Sequence, residues 1–434
     1  MARLFGTDGV RGLANGEVLT PELAVSLGRG AVRVLGGRTV VIGRDTRPSG
    51  PMLEAAAAAG FAAAGADVLL LGVVPTPTVA HAVASGAGDL GLVISASHNP
   101  MPDNGLKLFG PGGHKLTDAQ EDEIEAGLDD RSGVTGRGVG SVRTAPRELV
   151  EAWLASLLAS AGRLDGLTVV VDGAQGAASR LAPELYRRAG ATVVPLHCDG
   201  DGARINEGCG ATHPESLAAA VVAAGADLGI AHDGDADRCI VVDGSGRVLS
   251  GDQVLGLLAL ARQDAGLPGS DVLVATVMSN LGLVQAMDAR GVRVLQTAVG
   301  DRYVLEAMLA AGHRLGGEQS GHVVLLDHAT TGDGLLTALQ VMYRVVTSGS
   351  PVAELADVVT LLPQVLVNVR ADRRRAEAAD VLAAVAAEES VLEGRGRVLL
   401  RPSGTEALVR VMVEAPTQQQ AEQVAARLAV VVGG

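Results

Sequence analysis

The hydrophobic positions of this chain recur in one pattern: an Ala- and Leu-rich segment, a glycine, and then a short run of Val, Leu or Ile. The glycine and apolar run occupy residues 65–71, 190–194, 225–230 and 291–295. The Ala-rich segments predict helices, and a glycine can adopt the left-handed conformation that ends a helix and reverses the chain. The apolar runs predict buried strands. Repeated helix–strand units of this kind are typical of mixed or parallel sheets flanked by helices.

The most apolar window, residues 55–74, approaches the length of a membrane span. Gly65 and Asp67 interrupt it, so we predict an Ala-rich helix followed by a short buried strand. The chain is 47% hydrophobic but only 2% aromatic. Its cores must therefore be built from Ala, Val and Leu, which suits layered α/β domains.

Changes in composition predict several domains, because 434 residues are too many for one core. Residues 131–140 are Gly-rich and polar, and further boundaries are expected near Ser250 and near Leu362 and Pro363. The last region begins with a predicted charged helix over 373–389. The predicted domains are α/β domains at 1–147, 148–250 and 251–363 and a small α+β domain at 364–434.

The segment Ser-Ala-Ser-His-Asn-Pro at 95–100 follows the apolar run 90–94, where a predicted strand gives way to a loop. Ser97 there has a hydroxyl beside His98 and a rigid Asn-Pro turn. An exposed hydroxyl, a fixed backbone and a proton-handling neighbour are what a covalent phosphoryl carrier needs. An ordinary hydrogen-bonded turn is the alternative interpretation.

Three carboxylates, Asp233, Asp235 and Asp237, alternate with small residues in a second segment. A looped backbone can turn all three toward one point, where a cation such as Mg²⁺ would offset their mutual repulsion. A calcium loop would need Gly at its sixth position and Glu at its twelfth, but Arg238 and Gly244 stand there. A solvated acidic turn is the other alternative.

Two further loops carry groups suited to a phosphorylated sugar. In 316–322, glycines flank a carboxylate, an amide, a hydroxyl and an imidazole, which bind sugar hydroxyls or an amine, although a polar loop between strands is the alternative. In 401–406, an arginine, two hydroxyls and a glycine follow an apolar run and can form an anion-binding loop, or an ordinary turn. Arg410 lies close enough in sequence to join this loop.

Together these four segments resemble the α-D-phosphohexomutase superfamily, in order and over the whole chain. The segments at 5–12, 43–47 and 104–107 also match. The resemblance implies three related mixed α/β domains and a C-terminal α+β domain around a central cleft, with one motif in each domain. Loops at the carboxyl ends of strands are where α/β folds place ligands.

Within the superfamily, the segments 300–303, 317–322 and 330–334 favour the branch that acts on glucosamine phosphates. The implied reaction interconverts glucosamine 6-phosphate and glucosamine 1-phosphate through a phosphoserine enzyme and glucosamine 1,6-bisphosphate. Glucosamine or glucose 1,6-bisphosphate would act as activator, and the product would feed UDP-N-acetylglucosamine and cell-wall synthesis.

The resemblance also implies a role for each motif residue. Ser97 would carry the phosphoryl group, with Ser95 as a structural neighbour. Mg²⁺ would be held by Asp233, Asp235 and Asp237 together with an oxygen on Ser97. The remaining implied roles are proton transfer by Lys107, His322 or His98, charge stabilisation by Arg11 and Arg238, binding of sugar hydroxyls by Glu318 and Ser320, and binding of the non-reacting phosphate by Arg401, Ser403, Gly404, Thr405 and Arg410.

Charge and cysteine content narrow the class of partner. The net charge is −14, from 35 basic and 49 acidic residues, which argues against nucleic acid and against an anionic membrane. The three cysteines form no C-x-x-C pair, and the first residues contain no apolar signal segment. We therefore expect a cytoplasmic protein with a small phosphosugar as its partner, and the resemblance is compatible with a homodimer.

Three other functions are alternatives. The same fold could act on glucose or mannose phosphates. A phosphatase would need water to reach the phosphoserine, and a non-catalytic phosphosugar sensor would not need Ser97 together with three metal ligands.

Overall fold

The structure, a computed structural model, describes residues 3–6, 8–402 and 407–434. The first sheet has the strands β1 (Val10–Leu13), β2 (Thr39–Arg44), β3 (Asp67–Val73), β4 (Leu90–Ile94), β5 (Asp103–Phe109) and β6 (Val142–Thr144). Their order is β1-β5-β4-β2-β3-β6, with β4, β2, β3 and β6 parallel and the other pairs antiparallel. Its helices are α1 (Pro21–Leu35), α2 (Gly50–Ala63), α3 (Thr76–Ala84) and α4 (Asp118–Ala126).

The second sheet follows helix α5 (Glu148–Ala159). Its strands are β7 (Thr168–Asp172), β8 (Thr192–Leu196), β9 (Leu228–Ala231), β10 (Ile240–Asp243) and β11 (Val248–Leu249). Their order is β11-β10-β9-β7-β8, and β7 is parallel to both of its neighbours. The accompanying helices are α6 (Ala178–Ala189) and α7 (Glu215–Ala224).

The third sheet alternates with helices along the chain. Its helices are α8 (Gly251–Asp264), α9 (Leu281–Asp288), α10 (Asp301–Ala311), α11 (Gly334–Ser348) and the short α12 (Val352–Ala356). Its strands are β12 (Val272–Thr276), β13 (Arg293–Thr297), β14 (Leu315–Gly317) and β15 (Val323–Leu325), in the order β13-β12-β14-β15. Only the β14–β15 pair of this sheet is antiparallel.

The fourth sheet is antiparallel. Its strands are β16 (Gln364–Arg370), β17 (Arg397–Pro402) and β18 (Leu408–Glu414), in the order β16-β18-β17. Helices α13 (Ala379–Leu392) and α14 (Gln418–Gly433) complete it. The predicted helix over 373–389 is therefore wrong at its start. The Asp372 carboxylate accepts a hydrogen bond from the Arg374 amide at 2.9 Å and begins a 3₁₀ turn, after which Ala378 is extended.

The chain divides into two compact units, 1–278 with 292–358 and 279–291 with 359–434. Helix α9 belongs to the second unit although it lies between two strands of the third sheet in sequence. Glu414 explains this assignment, because its carboxylate accepts the Leu281 amide at 2.9 Å and the Arg397 guanidinium at 2.8 Å. The buried Glu414 carboxylate therefore joins the two chain segments of the second unit through its hydrogen bond from the Leu281 amide.

The predicted helix–glycine–strand pattern is confirmed. Gly190 and Gly225, for example, end α6 and α7 in the left-handed region, with φ of 112° and 58°. The apolar window 55–74 divides into the end of α2 and strand β3. Across the described ranges, we find no helix with both the length and the hydropathy needed to cross a membrane.

Helices α1 and α2 pack closely because glycines lie at their crossing. A Cβ atom added at Gly28 would lie 2.9 Å from the Ala57 carbonyl oxygen, and one at Gly60 would lie 2.3 Å from the Val25 carbonyl oxygen. Real Cβ atoms do not approach backbone this closely. The two helix axes would therefore have to separate to accept any larger side chain.

We predict that Gly60→Ala lowers stability by about 1–3 kcal/mol, because the overpacked helix crossing outweighs the better helix propensity of alanine. The measurement is the apparent Tm from differential scanning calorimetry. Ala59→Gly, at an exposed position of α2, is the matched control and should cost about 1 kcal/mol through propensity alone. A Tm for Gly60→Ala at or above that of the parent would show that the crossing can relax.

Candidate active site

Ser97 lies in the loop that follows β4, at the carboxyl end of a buried strand. Its side chain is buried and its φ is 53°, an uncommon conformation for a non-glycine residue. The Ser97 hydroxyl donates to Oδ2 of Asp233 at 2.5 Å and lies 3.3 Å from Nδ1 of His98. The Ser97 amide donates to the Ser95 hydroxyl at 2.9 Å. Ser95 thus supports the backbone that presents the Ser97 oxygen.

Arg47 holds this loop in place through hydrogen bonds to its backbone. It follows β2, the parallel neighbour of β4, and is fully buried. Its guanidinium donates to four carbonyl oxygens of the serine loop, those of Ser97, Asn99, Pro100 and Asp103, at 3.0, 2.8, 2.5 and 2.9 Å. Asp45, equally buried, accepts from Nε of Arg47 at 2.8 Å and from the Ser95 hydroxyl at 2.6 Å. Burial raises the pKa of Asp45, although Arg47 opposes this effect.

The second sheet contributes a further support for the serine loop. The side-chain amide of Asn206 donates to the carbonyl oxygens of Ser97 and Asn99 at 2.9 and 3.0 Å. A Cβ atom at Gly234 would lie 2.5 Å from the Ser97 carbonyl oxygen, so glycine is needed where the two loops meet. The loop after β9 is therefore held directly against the serine loop.

Asp233, Asp235 and Asp237 converge as predicted. All three are buried, and each offers an oxygen that lies within 4.8 Å of those of the others. Thr76 donates to Oδ2 of Asp235 at 2.7 Å, but Oδ1 of Asp235 and Oδ1 of Asp237 are buried and have no hydrogen-bond partner among the described residues. Two partnerless buried oxygens in a set of hard ligands fit a divalent cation.

Burial and the surrounding charges shift the pKa values of Asp233 and Asp237 in opposite directions. Burial, together with Asp237 and Asp235, raises the pKa of Asp233 to about 7. Burial also acts to raise the pKa of Asp237, but Lys107 and then His322 outweigh it and lower that pKa below the usual range. Burial and like charges thus favour the protonated form of Asp233, the carboxylate that faces Ser97.

Lys107, on β5, is buried among carboxylates. Its Nζ lies 2.9 Å from Oδ2 of Asp8, 3.4 Å from Oδ2 of Asp235 and 3.3 Å from Oδ2 of Asp237. Burial acts to lower the pKa of Lys107, but these three carboxylates raise it well above its ordinary value. Lys107 is therefore an ammonium ion in this arrangement.

His322 is joined by backbone pairing to the loop that carries the three aspartates, because it forms an antiparallel bridge with Arg238. Its Nδ1 lies 3.6 Å from Oδ1 of Asp237 and its Nε2 lies 3.4 Å from Oδ2 of Asp301. Burial acts to lower the pKa of His322, but Asp237 and Asp301 raise it overall. Asp301 also pairs with Lys115, whose Nζ lies 2.8 Å from Oδ1 of Asp8.

The two predicted arginines of the first compact unit lie at this cluster. Arg11, on β1, pairs with Asp8, and Nε of Arg238 lies 3.8 Å from Oδ2 of Asp233. His98 is half-buried nearby, and burial, followed by the charges of Arg238 and Arg11, lowers the pKa of His98 to about 4. His98 is therefore a neutral ring beside the Ser97 hydroxyl.

The predicted sugar-binding loop, residues 318–322, follows β14. Oε1 of Glu318 accepts the Gly300 amide at 3.1 Å, and the buried Ser320 hydroxyl has no hydrogen-bond partner in the described ranges. Gly332 packs on the His322 ring, since a Cβ there would lie 2.3 Å from Nε2. The third sheet thus presents a carboxylate, a hydroxyl and an imidazole on the single loop between β14 and β15.

In the second compact unit, strand register places Arg401 of β17 directly opposite Arg410 of β18. Arg401 is half-buried and Arg410 is exposed. Like charges facing each other across antiparallel strands repel, and an anion between them would remove that cost. The predicted residues Ser403, Gly404 and Thr405 lie outside the described residues.

Several site residues had no role assigned from the sequence. Asp8, Arg47 and Asp301 lie in segments that support the family resemblance, but their local sequence does not indicate a specific role for any of them. Lys115 and Thr76 had no local signal, because each is recognisable only by its distant carboxylate partner.

Comparison with known proteins gives full-length matches. The α/β/α domains I, II and III of phosphoglucomutase/phosphomannomutase match residues 2–133, 148–246 and 250–361, and the C-terminal domain matches 366–431. The phosphoglucosamine mutase of Frankia alni is 58% identical over 449 residues, covering 100% of this chain and 98% of that protein. The phosphoglucosamine mutase of Saccharopolyspora erythraea is 58% identical over 439 residues, covering 99% and 98%.

Among solved structures, a phosphoglucomutase/phosphomannomutase family protein from Burkholderia thailandensis superposes with a TM-score of 0.83 at 27% identity, covering 99% of this chain and 97% of that one. With the four domain matches, this confirms the predicted fold class of three mixed α/β domains and a C-terminal α+β domain.

We predict that Arg47→Lys lowers stability by about 3 kcal/mol or more, because lysine retains the charge but cannot donate to four carbonyl oxygens at once. Displacement of the serine loop by about 1 Å should also reduce kcat on the order of a hundredfold. The measurements are Tm and kcat on the same preparation. Arg44→Lys, at a half-buried position with a single 3.4 Å ion pair to Glu54, is the control and should change both values little. Equal effects of the two substitutions would contradict an organising role for Arg47.

Proposed function

The chain belongs to the phosphoglucomutase/phosphomannomutase family, and from this membership we propose that it interconverts glucosamine 6-phosphate and glucosamine 1-phosphate. Full-length relatives at 58% identity that bear the name phosphoglucosamine mutase support this choice of substrate. The observation that carries the chemistry is the Ser97 hydroxyl, buried 2.5 Å from one of three converging carboxylates.

Ser97 carries a phosphoryl group in the working enzyme. The 1-hydroxyl of glucosamine 6-phosphate attacks phosphorus, so that the new P–O1 bond forms as the P–Oγ bond breaks, giving glucosamine 1,6-bisphosphate. The sugar hydroxyl loses its proton, and the Ser97 oxygen gains one. The bisphosphate then presents its 6-phosphoryl group to Ser97, and glucosamine 1-phosphate leaves. Glucosamine or glucose 1,6-bisphosphate acts as activator because it can phosphorylate an unmodified Ser97.

Proton transfer falls to a group beside the Ser97 oxygen. Lys107 and His322 face carboxylates that favour their protonated forms, so they suit the stabilisation of negative charge. His98 lies 3.3 Å from the Ser97 hydroxyl, and burial together with two arginines keeps the pKa of its ring at about 4, so that a lone pair is free. Of the three predicted candidates, His98 is the one that has a free lone pair beside the Ser97 oxygen, but a pKa of about 4 makes it a weak base at neutral pH.

Asp233, Asp235 and Asp237, with an oxygen of phosphorylated Ser97, would hold Mg²⁺, which when bound neutralises charge on the transferring phosphoryl group. The partnerless Oδ1 atoms of Asp235 and Asp237 support this ligand set. Arg11 and Arg238 add positive charge around the same group.

The substrate's other groups require further residues. Glu318 and Ser320 bind the sugar hydroxyls, which suits the partnerless Ser320 hydroxyl. Arg401 and Arg410, with Ser403, Gly404 and Thr405, bind the phosphate that is not being transferred. A facing pair of guanidinium groups recognises a phosphate whatever carries it. This property suits a bisphosphate that must turn over between its two reactions.

Glucose or mannose phosphates are the second candidate substrates, because the matched family and the 27% identical structure are named for phosphoglucomutase and phosphomannomutase. A coupled assay with the 6-phosphates of glucosamine, glucose and mannose, side by side, decides between them.

We also propose domain boundaries at 147, 250 and 363, a cytoplasmic location, a homodimer, and neither nucleic acid nor membrane as partner.

We predict that Ser97→Ala abolishes turnover without changing Tm appreciably, because only the nucleophile is lost. The intact parent chain should show a species about 80 Da heavier, a phosphate group, that disappears on adding glucosamine 6-phosphate. The Ser97→Ala chain should never show it, whereas the neighbouring Ser95→Ala chain should. Turnover of Ser97→Ala within about tenfold of the parent would exclude Ser97 as the carrier.

We predict that Asp235→Asn weakens Mg²⁺ binding and lowers kcat by about two orders of magnitude or more, since one of three ligand charges is removed. The measurement is rate against Mg²⁺ concentration after removal of metal with EDTA. Asp288→Asn, at an exposed carboxylate of α9, should keep the parent's Mg²⁺ dependence. A rate that excess EDTA leaves unchanged would rule out the metal assignment.

A further inference from the structure

A second group of potential metal ligands lies at the carboxyl ends of β7 and β8. Asp172 ends β7, His197 follows β8, and Cys209 lies in the loop that leads toward α7. Each residue offers an atom within 4.8 Å of those of the other two. Asp172 and Cys209 are buried, and His197 is half-buried. The proposed phosphoryl transfer uses none of the three.

The chemistry of this group differs from that of the Asp233 cluster. It brings together one thiol, one imidazole and one carboxylate, whereas the other cluster offers carboxylates alone. Thiolate and imidazole ligands favour zinc-like ions, while Mg²⁺ prefers oxygen. Within the part of the chain that the structure describes, two groups therefore have ligand types that would select different metals.

Existing contacts hold the three side chains in place. Oδ2 of Asp172 accepts from Nδ1 of His197 at 3.0 Å and from the Gly210 amide at 2.9 Å, and Oδ1 accepts the Ala174 amide at 2.8 Å. The Cys209 sulfur lies 4.0 Å from the Arg204 carbonyl oxygen and also interacts with the Asn206 backbone. These contacts hold a buried thiol where it faces an imidazole and a carboxylate.

The loops that carry these ligands also support the catalytic serine. Asn206, three residues before Cys209, donates its side-chain amide to the Ser97 carbonyl oxygen at 2.9 Å, and its backbone amide to the Ala174 carbonyl oxygen at 3.0 Å. An ion bound to Asp172, His197 and Cys209 would cross-link the three loops from which this support is built.

We propose that Asp172, His197 and Cys209 form a second metal site, specific for a thiophilic divalent ion of the zinc class. The imidazole exchanges its hydrogen bond to Asp172 for the ion, and the thiol releases its proton to solvent as the sulfur–metal bond forms. Water completes a tetrahedral set on the open side next to His197, the most exposed of the three ligands. The bound ion stiffens the loops around Asn206.

The test is metal binding to the full chain, with Mg²⁺ in excess to occupy the Asp233 cluster. Zn²⁺ should bind at one equivalent per chain by elemental analysis after gel filtration, and Co²⁺ should give the intense visible bands of a tetrahedral site with a thiolate ligand. Zn²⁺ should also raise Tm, because it binds the folded chain. Each signal should survive in Asp235→Asn, in which the competing oxygen site is weakened.

His197→Gln and Cys209→Ser should each weaken Zn²⁺ binding by about tenfold or more and abolish the rise in Tm. His197 is half-buried, so its substitution tests the site even if Cys209→Ser were to unfold. Cys198→Ser, which removes the neighbouring thiol outside the group, is the control and should bind Zn²⁺ as the parent does. Absence of stoichiometric Zn²⁺ binding, or equal binding by the parent and His197→Gln, would overturn the proposal.

Discussion

The buried Arg47 guanidinium is the constraint on which the catalytic geometry depends. It donates to four carbonyl oxygens of the serine loop while pairing with buried Asp45, and so holds Ser97 at a φ of 53° that few non-glycine residues adopt. A buried ion pair contributes little net stability unless its remaining hydrogen bonds are satisfied, and here every guanidinium nitrogen has a partner. The pair therefore stabilises one loop conformation, the one in which the Ser97 oxygen meets Asp233.

The second constraint is a concentration of charge that the fold does not neutralise by itself. Carboxylates of Asp8, Asp235, Asp237 and Asp301 surround Lys107, Lys115 and His322, yet two carboxylate oxygens, Oδ1 of Asp235 and Oδ1 of Asp237, accept no hydrogen bond from the described residues. A dianionic phosphosugar would bind poorly beside carboxylates alone. A bound cation, together with the nearby arginines, would reverse the sign of the local charge and suit the site to phosphoryl transfer.

Parallel-strand topology explains why loops so distant in sequence meet. β2 and β4 are parallel neighbours, so the loops carrying Arg47 and Ser97 leave the sheet at the same edge. β7 and β9 are likewise parallel neighbours, which brings the Asp172 and Asp233 loops together. The Arg47 loop therefore lies beside the Ser97 loop, and the Asp172 loop lies beside the Asp233 loop. Asn206 joins the two sheets through its hydrogen bond to the Ser97 carbonyl oxygen.

The sequence by itself determined the elements and the reactive motifs. β4 occupies 90–94 as predicted, and Ser97 and the three aspartates follow apolar strands, because strand, turn and ligand chemistry are all local patterns. Only the tertiary structure decided which side chains meet. Lys115 and Asp301 are 186 residues apart, and nothing near either one predicts that they pair. The states of His98 and Lys107 depend likewise on charges that other segments bring close, and a charge's effect on a pKa falls with distance in space, which sequence spacing does not report.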